Sequence, residues 1–570
     1  MKVVSPFAFA RKLVTRWDVA ALLVVVGVVA FFGEASRQLL EPLAHLQANP
    51  LSLDPGNLPG YAARTTLRMF AALLLSLLFT FTYATWAAKN ERVGRLLIPI
   101  LDILQSVPIL GFISITVVFF MSLVPGRVLG AEFAAIFAIF TSQAWNMAFS
   151  FYQSLRTVPA ELTEAARSFH LSSWMRFWQL EVPFALPALI WNTMMSMSGG
   201  WFFVVASESI SVGDTSVSLP GIGSYIALAI EHRNLAAIGW AILTMLIVIL
   251  AYDQLLFRPL VAWVDGLRFE QDPGGHRPRS WALSVMRRSH LVSVVTRTFY
   301  STIRWTSWAV PIGTAHTPGA RQKSSRPGST GILIILLIGG LALAGGIRVL
   351  STGLEPGDIL KVIGLGFITL LRVMVLIALA SAIWVPIGVW VGLRPRAMEI
   401  VQPIAQFLAA FPANIAFPLA VYAIVEWRLN PDVWLSPLMI LGTQWYILFN
   451  VIAGASTMPG ELRNAAANFQ LGGWLWWRRV ALPAVLPFYV TGAITASGGS
   501  WNAAIVAELA SWGNERVRAH GLGAYIADAT ASGNFHKIVL GIATMSLFVV
   551  AINRLFWRPL YFYAERRFRL

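Results

Sequence analysis

Long apolar stretches alternate with short polar segments along the whole chain. In the first half, stretches long enough to span a bilayer lie near residues 19 to 33, 66 to 88, 96 to 124, 131 to 153, 183 to 206 and 235 to 257. Six more lie near 331 to 347, 362 to 392, 399 to 425, 434 to 453, 483 to 506 and 536 to 557. This pattern predicts an all-α polytopic membrane protein with about twelve transmembrane helices.

The second half of the chain repeats the first. Residues between Pro159 and Leu260 recur at many places 300 positions later without a gap, and upstream the offset is 304, which aligns Arg68 with Arg372. Matching stretches have the same predicted orientation, so we expect a parallel repeat of two six-helix units about an axis along the membrane normal. The chain divides into a first unit at 1–260, a basic linker at 261–330 and a second unit at 331–570.

Composition and charge agree with a membrane protein. Hydrophobic residues make up 57% of the chain and charged residues 12%, with a mean hydropathy of +0.66. The net charge of +16 comes from Arg and Lys in short segments between apolar stretches, which the positive-inside rule explains without a nucleic acid. Both termini and the linker are therefore expected in the cytoplasm. The first apolar stretch lacks a convincing cleavage site, so we interpret it as a retained helix.

The linker leaves two interpretations open. From Trp281 to Trp308 it mixes Arg with apolar and aromatic residues, which fits an amphipathic helix on the anionic inner leaflet or a partly disordered tether. The chain has no Cys, which excludes disulfides, thiolate metal sites and cysteine nucleophiles. His170 has no second ligand nearby in the sequence, so no metal site is expected.

The loop between the fourth and fifth spans holds the most informative motif, and it occurs in both units. Pro159 and Pro459 suit the first turn of a short helix, and acidic residues follow at its positive end. Apolar residues at i, i+3, i+4 and i+7 form one stripe, which is typical of a helix that docks in a groove of a partner protein. The alternative is an ordinary amphipathic connector. The candidate docking residues are Glu161, Leu162, Glu164, Ala165, Ala166, Phe169, Glu461, Leu462, Asn464, Ala465, Ala466 and Phe469.

This loop resembles the coupling-helix motif of permeases of binding-protein-dependent ABC importers, in which Glu-Ala-Ala is followed by a Gly and a later Leu-Pro. The chain departs from that pattern at His170 and Gln470, which replace the Gly, and at Asn464, which replaces the Glu. The resemblance covers nearly all of both halves. With the Gly-x-Gly at Gly221 and Gly223, it is strongest to the nitrate, sulfonate and taurine importer group.

The resemblance implies two type I ABC importer permease units in a bacterial inner membrane. It implies two separate ABC ATPase subunits that bind ATP and Mg, since the chain itself lacks a P-loop. It also implies a periplasmic or lipid-anchored substrate-binding protein, membrane lipid around the helices and no cofactor in this chain. The substrate is then a small solute, such as the anions nitrate or a sulfonate.

Polar residues in the spans suggest a translocation path. Glu208 and Glu508 lie at the ends of the fifth spans. Each either faces such a path or forms a structural hydrogen bond between helices. A path next to two glutamates suits a neutral or cationic solute better than an anion unless Arg residues offset them. The candidate path residues are Trp201, Glu208, Trp501, Glu508, Arg68 and Arg372. Further polar candidates on the fourth spans are Gln143, Asn146, Gln444 and Asn450, which packing between helices explains about as well.

Two other classes of protein share some of these features. An ion-coupled secondary transporter with two six-helix halves has the same gross architecture, but it has no need for a repeated coupling helix. A membrane enzyme needs acidic and basic groups that converge, and the eight histidines form no paired motif with nearby carboxylates. No catalytic residue is therefore expected in this chain.

Overall fold

A computed structural model describes residue 33 and residues 51 to 212, 215 to 264 and 356 to 568. The predicted first span of each unit, apart from Gly33, lies outside these residues, and so does the linker beyond residue 264. The interpretation of residues 281 to 308 and the retained N-terminal helix are therefore not described by the structure. The division of the chain at 260 and 330 stays a prediction.

The first unit is a series of helices interrupted by one β-hairpin. A short helix at Ser173–Arg176 and a wide helical turn at Phe177–Glu181 precede its fifth span. Its main elements are α1 (Pro55–Lys89), α2 (Glu91–Ser106), α3 (Ile109–Leu123), α4 (Val128–Arg156), α5 (Ala160–Ser168), α6 (Val182–Glu208), β1 (Ser209–Val212), β2 (Thr215–Ser218), α7 (Ile222–Glu231) and α8 (Leu235–Val264).

The second unit has the same order of elements. From α5 to α8 their bounds recur almost unchanged 300 positions later, so the repeat in sequence is also a repeat in structure. Its main elements are α9 (Pro356–Gly392), α10 (Pro395–Ala410), α11 (Ala413–Glu426), α12 (Gln444–Ser456), α13 (Gly460–Asn468), α14 (Leu482–Ala507), β3 (Leu509–Trp512), β4 (Glu515–Arg518), α15 (Leu522–Ala531) and α16 (Phe535–Arg567).

The predicted helical membrane architecture is confirmed. Within the described residues, six helices are long and apolar enough to cross a membrane, or eight if each of two bent helix pairs is one span. Ten of the twelve expected spans fall in the described part of the chain, and all ten are helical. The helices at the expected spans near 96 to 124 and 183 to 206 are not among those eight.

Proline lies at the break in the third span of each unit. Helices α10 and α11 meet at 74°, and Pro412 lies between them. Proline has no N–H to donate and its ring clashes with the preceding turn, so a straight helix cannot continue through it. Pro108 occupies the equivalent place between α2 and α3. The fourth span of the second unit bends by 46° between Leu441 and Gln444, whereas α4 is continuous.

The two β-hairpins were not predicted. Strand β1 pairs antiparallel with β2, and β3 pairs with β4 in the same register, with Leu509 opposite Arg518. Each hairpin follows directly after the fifth span of its unit. The tip of the second hairpin reaches the first unit, where the Gly513 N–H donates to the carbonyl oxygen of Ile230 at 3.0 Å. The all-α class therefore holds apart from these hairpins.

Glycine permits close packing of the short helix after each hairpin. A Cβ at Gly223 would collide with the carbonyl oxygen of Val205, and a Cβ at Gly523 would collide with that of Ala504. The backbones of α7 and α15 therefore touch those of α6 and α14 directly. This contact explains the second Gly of the Gly-x-Gly motif.

Gly223→Ala is expected to lower the thermal unfolding midpoint of the purified protein, because the α6 or α7 backbone must move to admit the methyl group, at a cost of about 1–3 kcal/mol. Gly239→Ala in α8 is the matched control, since its Cβ would meet nothing within 4 Å. Thermal unfolding in detergent measures both variants. A Gly223→Ala midpoint as high as that of Gly239→Ala would contradict the close approach.

Candidate functional site

A large cavity lies between the two units. Its volume is about 1640 Å³, and α4 and α6 of the first unit line it together with α12 and α14 of the second. Pockets that enclose one small ligand usually measure about 300–1,000 Å³. The lining residues extend along α4 as far as Ser154 and along α12 as far as Ser456, close to the start of the repeated loop helices. The cavity is therefore large enough to hold a small solute together with water.

Uncharged polar side chains line much of this cavity. Asn146 donates to Ser196 at 3.0 Å, and Asn192 donates to Ser150 at 2.8 Å. Among the described residues that line it, the only charged side chain is Arg558, and none is a carboxylate. Such a lining disfavours a cation, because nothing in it would offset the charge.

Two of the four amide residues considered on the fourth spans belong to the cavity. Asn146 and Asn450 line it, whereas Gln143 is buried against Met69 and Gln444 accepts a hydrogen bond from the Trp384 indole. The sequence missed most of the lining residues, because hydroxyl and aromatic side chains on a transmembrane helix pack between helices as often as they face a cavity.

None of the six candidate path residues lines this cavity. Glu208 is fully buried at the end of α6. Its carboxylate accepts hydrogen bonds from Arg68 at 2.7 Å, from Thr65 at 2.7 Å and from the Gly223 N–H at 2.6 Å. Arg68 also forms two hydrogen bonds of 2.6 Å with Glu132. The geometry favours the structural alternative, in which the glutamate holds helices together.

The second unit builds a related cluster around Glu508. Arg372 donates to Glu508 at 2.6 Å, and Thr369 donates to the same oxygen at 3.0 Å. Asp432 stands at the position of Glu132, and its shorter side chain lies 3.3 Å from Arg372. Asp432 also contacts His520, whose side chain is largely exposed. The second cluster therefore reaches solvent, whereas the first is sealed.

The two candidate tryptophans pack inside their units. Trp201 is fully buried and its ring lies 5.6 Å from that of Tyr252. Trp501 is equally buried, with its ring 6.1 Å from that of Phe548. Both indoles therefore belong to the apolar core and not to the cavity.

The repeated loop forms a short helix in both units, as predicted, at α5 and α13. The expected apolar stripe is divided between two faces. Ala166 and Ala466 are buried against their own unit, because a turn later the chain folds back over them. Phe169 and Phe469 are each 78% exposed. The helix therefore presents the phenylalanines outward and uses the second alanine for its own packing.

The other candidate docking residues are divided in the same way between a buried side and an exposed side of each loop helix. Leu162 and Leu462 are half-buried beside Ala166 and Ala466, whereas Ala165 is exposed and Ala465 half-buried. The other members of the set are exposed, namely Glu161, Glu164, Glu461 and Asn464. The outward face of each helix is thus built from residues one turn apart that end at the phenylalanine.

The two residues that replace the Gly of the coupling-helix motif have strained backbone conformations. His170 and Gln470 both adopt φ of 52°, in the left-handed region where glycine is least strained. Each follows the end of its helix, and the next residue, Leu171 or Leu471, donates to the carbonyl of the buried alanine at 2.9–3.0 Å. This is a Schellman ending, which explains why a Gly suits that place in the motif.

The segments next to the two loop helices make different contacts. In the first unit Glu181 pairs with Lys89 at 2.9 Å and with Arg176 at 3.3 Å. In the second unit an apolar cluster takes this place, with Met458 and Val480 packed against Ala466. The Lys89–Glu181 pair joins the end of α1 to the segment before α6, and the apolar cluster packs α13 against the segment before α14. Across the described ranges, no group of three His, Asp or Glu side chains comes together as a metal site would require.

Comparisons with known proteins identify the same repeat. The chain matches the model of the family described as binding-protein-dependent transport system inner membrane component twice, at residues 80–258 and 384–569. A nitrate import permease protein of Leptolyngbya laminosa is 27% identical over 187 residues, which is 33% of this chain and 63% of that protein. The shared region thus spans less than two thirds of that relative.

Two further relatives are named after other solutes. A bicarbonate transport system permease protein of Synechococcus elongatus is 27% identical over 186 residues, or 33% of this chain and 64% of that protein. A glycine betaine transport system permease protein of Bacillus subtilis is 23% identical over 193 residues, or 34% of this chain and 63% of that protein.

Arg68→Met is expected to destabilise the protein by about 3–5 kcal/mol, because Glu132 and Glu208 would remain buried without a cation. Arg233→Met is the matched control. Arg233 lies 3.3 Å from Glu515 in a pair that is about half exposed, and such pairs contribute about 0–1 kcal/mol. Thermal unfolding in detergent compares the two variants. Equal losses of stability in the two variants would show that the buried Arg68 cluster stabilises the protein no more than the exposed pair does.

Proposed function

Because the chain belongs to the family of binding-protein-dependent transport system inner membrane components, we propose that it is a fused two-unit permease of an ATP-driven ABC importer. A periplasmic or lipid-anchored binding protein delivers a small solute, which the permease passes into the cytoplasm across the bacterial inner membrane. The main support is the arrangement of one cavity between two units, each of which bears an exposed loop helix.

The chain path supports coupling between the loop helices and the cavity. Helix α5 connects α4 to α6, and α13 connects α12 to α14, so both neighbours of each loop helix line the cavity. A displacement of either loop helix therefore pulls directly on two cavity walls. Alternating access follows if two ATPase subunits move the loop helices when they close around ATP.

The ATPases are separate chains in this proposal. The 570 residues contain no P-loop sequence, so ATP and Mg are bound by partner subunits and this chain performs no hydrolysis. Two loop helices imply two ATPase subunits for each permease chain. Both termini and the linker then lie on the cytoplasmic side, with the ATPases.

The solute is a small anion. The cavity holds Arg558 and no carboxylate among its described lining residues, and the glutamates that argued against an anion are buried and paired with arginine. Nitrate and bicarbonate in the names of two relatives agree with this charge. The glycine betaine relative makes a zwitterion the second candidate.

Affinity purification of the tagged chain in mild detergent tests the assignment. We expect a P-loop ATPase to co-purify at about two copies per chain, as counted by quantitative mass spectrometry. Recovery of an intact, transport-active chain with no ATPase would instead support an ion-coupled secondary transporter.

Ala465→Asp is expected to reduce ATPase co-purification at least about tenfold, because a carboxylate would enter the face that ends at Phe469 and lose its hydration there. Ala467→Asp is the matched control, since it adds the same charge on an exposed position of the other side of α13. Pull-down of ATPase with each variant measures the difference. If both variants retain the ATPase equally, the docking face is wrong.

A further inference from the structure

The two units line the cavity with different side chains at equivalent positions. One face of α6 and the corresponding face of α14 are turned to the cavity, at positions 191, 195, 198, 199 and 202 and their counterparts 300 residues later. On α6 the large residues of this face are Trp191, Met195 and Phe202. Their counterparts on α14 are Thr491, Thr495 and Asn502.

At these three positions α6 is apolar and α14 is polar at the same depth. The spacing of four and seven residues places each set of three along one side of its helix. At these positions α6 presents an indole, a thioether and a phenyl ring, and α14 presents two hydroxyls and the Asn502 amide, whose oxygen accepts from the Ile109 N–H at 2.6 Å. Asn192, Ser196 and Ser198 of α6 also line the cavity beside these apolar side chains. Glycine occupies positions 199 and 499 of these faces, and a Cβ at Gly499 would collide with the Thr443 side chain.

An apolar wall in a water-filled passage has a thermodynamic consequence. Water against Trp191, Met195 and Phe202 is released only when an apolar group covers those side chains. A bare inorganic ion keeps its own hydration and gains little from that wall, whereas a flat ring packs against an indole or phenyl face. The wall therefore favours a solute with an apolar portion of ring size.

The polar wall complements the other end of such a solute. Thr491 and Thr495 are exposed and line the cavity, and within the described residues their hydroxyls bond only to backbone carbonyls one turn away in their own helix. These hydroxyls can turn toward a solute, because a Ser or Thr proton rotates freely. The absence of carboxylates from the described lining leaves room for a negative charge.

We propose that the solute is an amphipathic organic anion, whose ring-sized apolar portion lies against α6 while its charged head lies against α14. This inference rests on the proposed importer function and narrows its substrate class. It differs from a passage for a bare inorganic ion, which would use neither the size nor the apolar surface of the α6 wall.

The labelling rate of a single cysteine in the cavity measures whether a solute is bound there. The chain has no cysteine, so Gly498→Cys introduces the only thiol. A Cβ at Gly498 meets nothing within 4 Å, and the residue lies between Thr495 and Asn502 on the cavity face. The labelling rate of the full purified chain by a water-soluble maleimide is then measured with benzoate, acetate or nitrate present. These three anions carry the same charge.

Benzoate is expected to halve the labelling rate at a concentration at least about tenfold lower than acetate or nitrate, since only benzoate covers the apolar wall. Trp191→Thr introduces the residue found at position 491. This variant is expected to reduce the preference for benzoate over acetate at least about fivefold and to leave the protecting concentration of acetate unchanged. Trp240→Thr is the control, because Trp240 is 49% exposed on α8 and does not line the cavity.

Equal protection by benzoate and acetate would overturn the proposal, and so would equal effects of Trp191→Thr and Trp240→Thr. This measurement uses the permease chain alone, without a binding protein or ATP. Its failure is therefore distinct from failure of the importer assignment, which the co-purification of ATPase tests separately.

Discussion

The fold of each unit depends on a buried arginine–glutamate pair at the end of its fifth span. A carboxylate buried among apolar helices is tolerated only if it is paired and hydrogen-bonded. Glu208 satisfies this condition with Arg68 of α1 and with the Gly223 N–H at the start of α7. The same contacts fix the hairpin between α6 and α7, because the Leu219 N–H donates to the Glu208 carbonyl. One residue thus joins three helices and the hairpin.

Because the carboxylates of Glu208 and Glu508 are held in these buried clusters, the cavity is uncharged along nearly all of its described lining. The glutamates lie where helices meet, and the cavity lies between units, lined by amides, hydroxyls and aromatic rings. In the proposed importer, such a lining offers the solute no deep electrostatic well, so the solute is released easily. Selection by charge then depends on what the walls exclude, and selection by shape depends on the apolar and polar faces of α6 and α14.

Duplication within one chain allows the two halves to differ. In a homodimer every wall and every loop helix occurs twice in the same form. Here Glu132 is replaced by Asp432, which opens the second cluster toward His520. Glu164 is replaced by Asn464 on the loop helix, and Trp191 by Thr491 in the cavity. These exchanges place different chemistry on the two sides of one site while the backbone elements recur almost unchanged.

The sequence by itself determined the helical spans, the parallel repeat and the two loop helices, because apolar length and the 3.6-residue period are local properties of the chain. It also contains a signal for the second hairpin, the Gly513-Asn514 turn between two short runs. Only the tertiary structure decided that Glu208 is paired and sealed, that Ala166 turns inward, and that Trp191 faces a cavity. Each of these depends on which distant helix packs against the residue, and a single sequence carries no record of that contact.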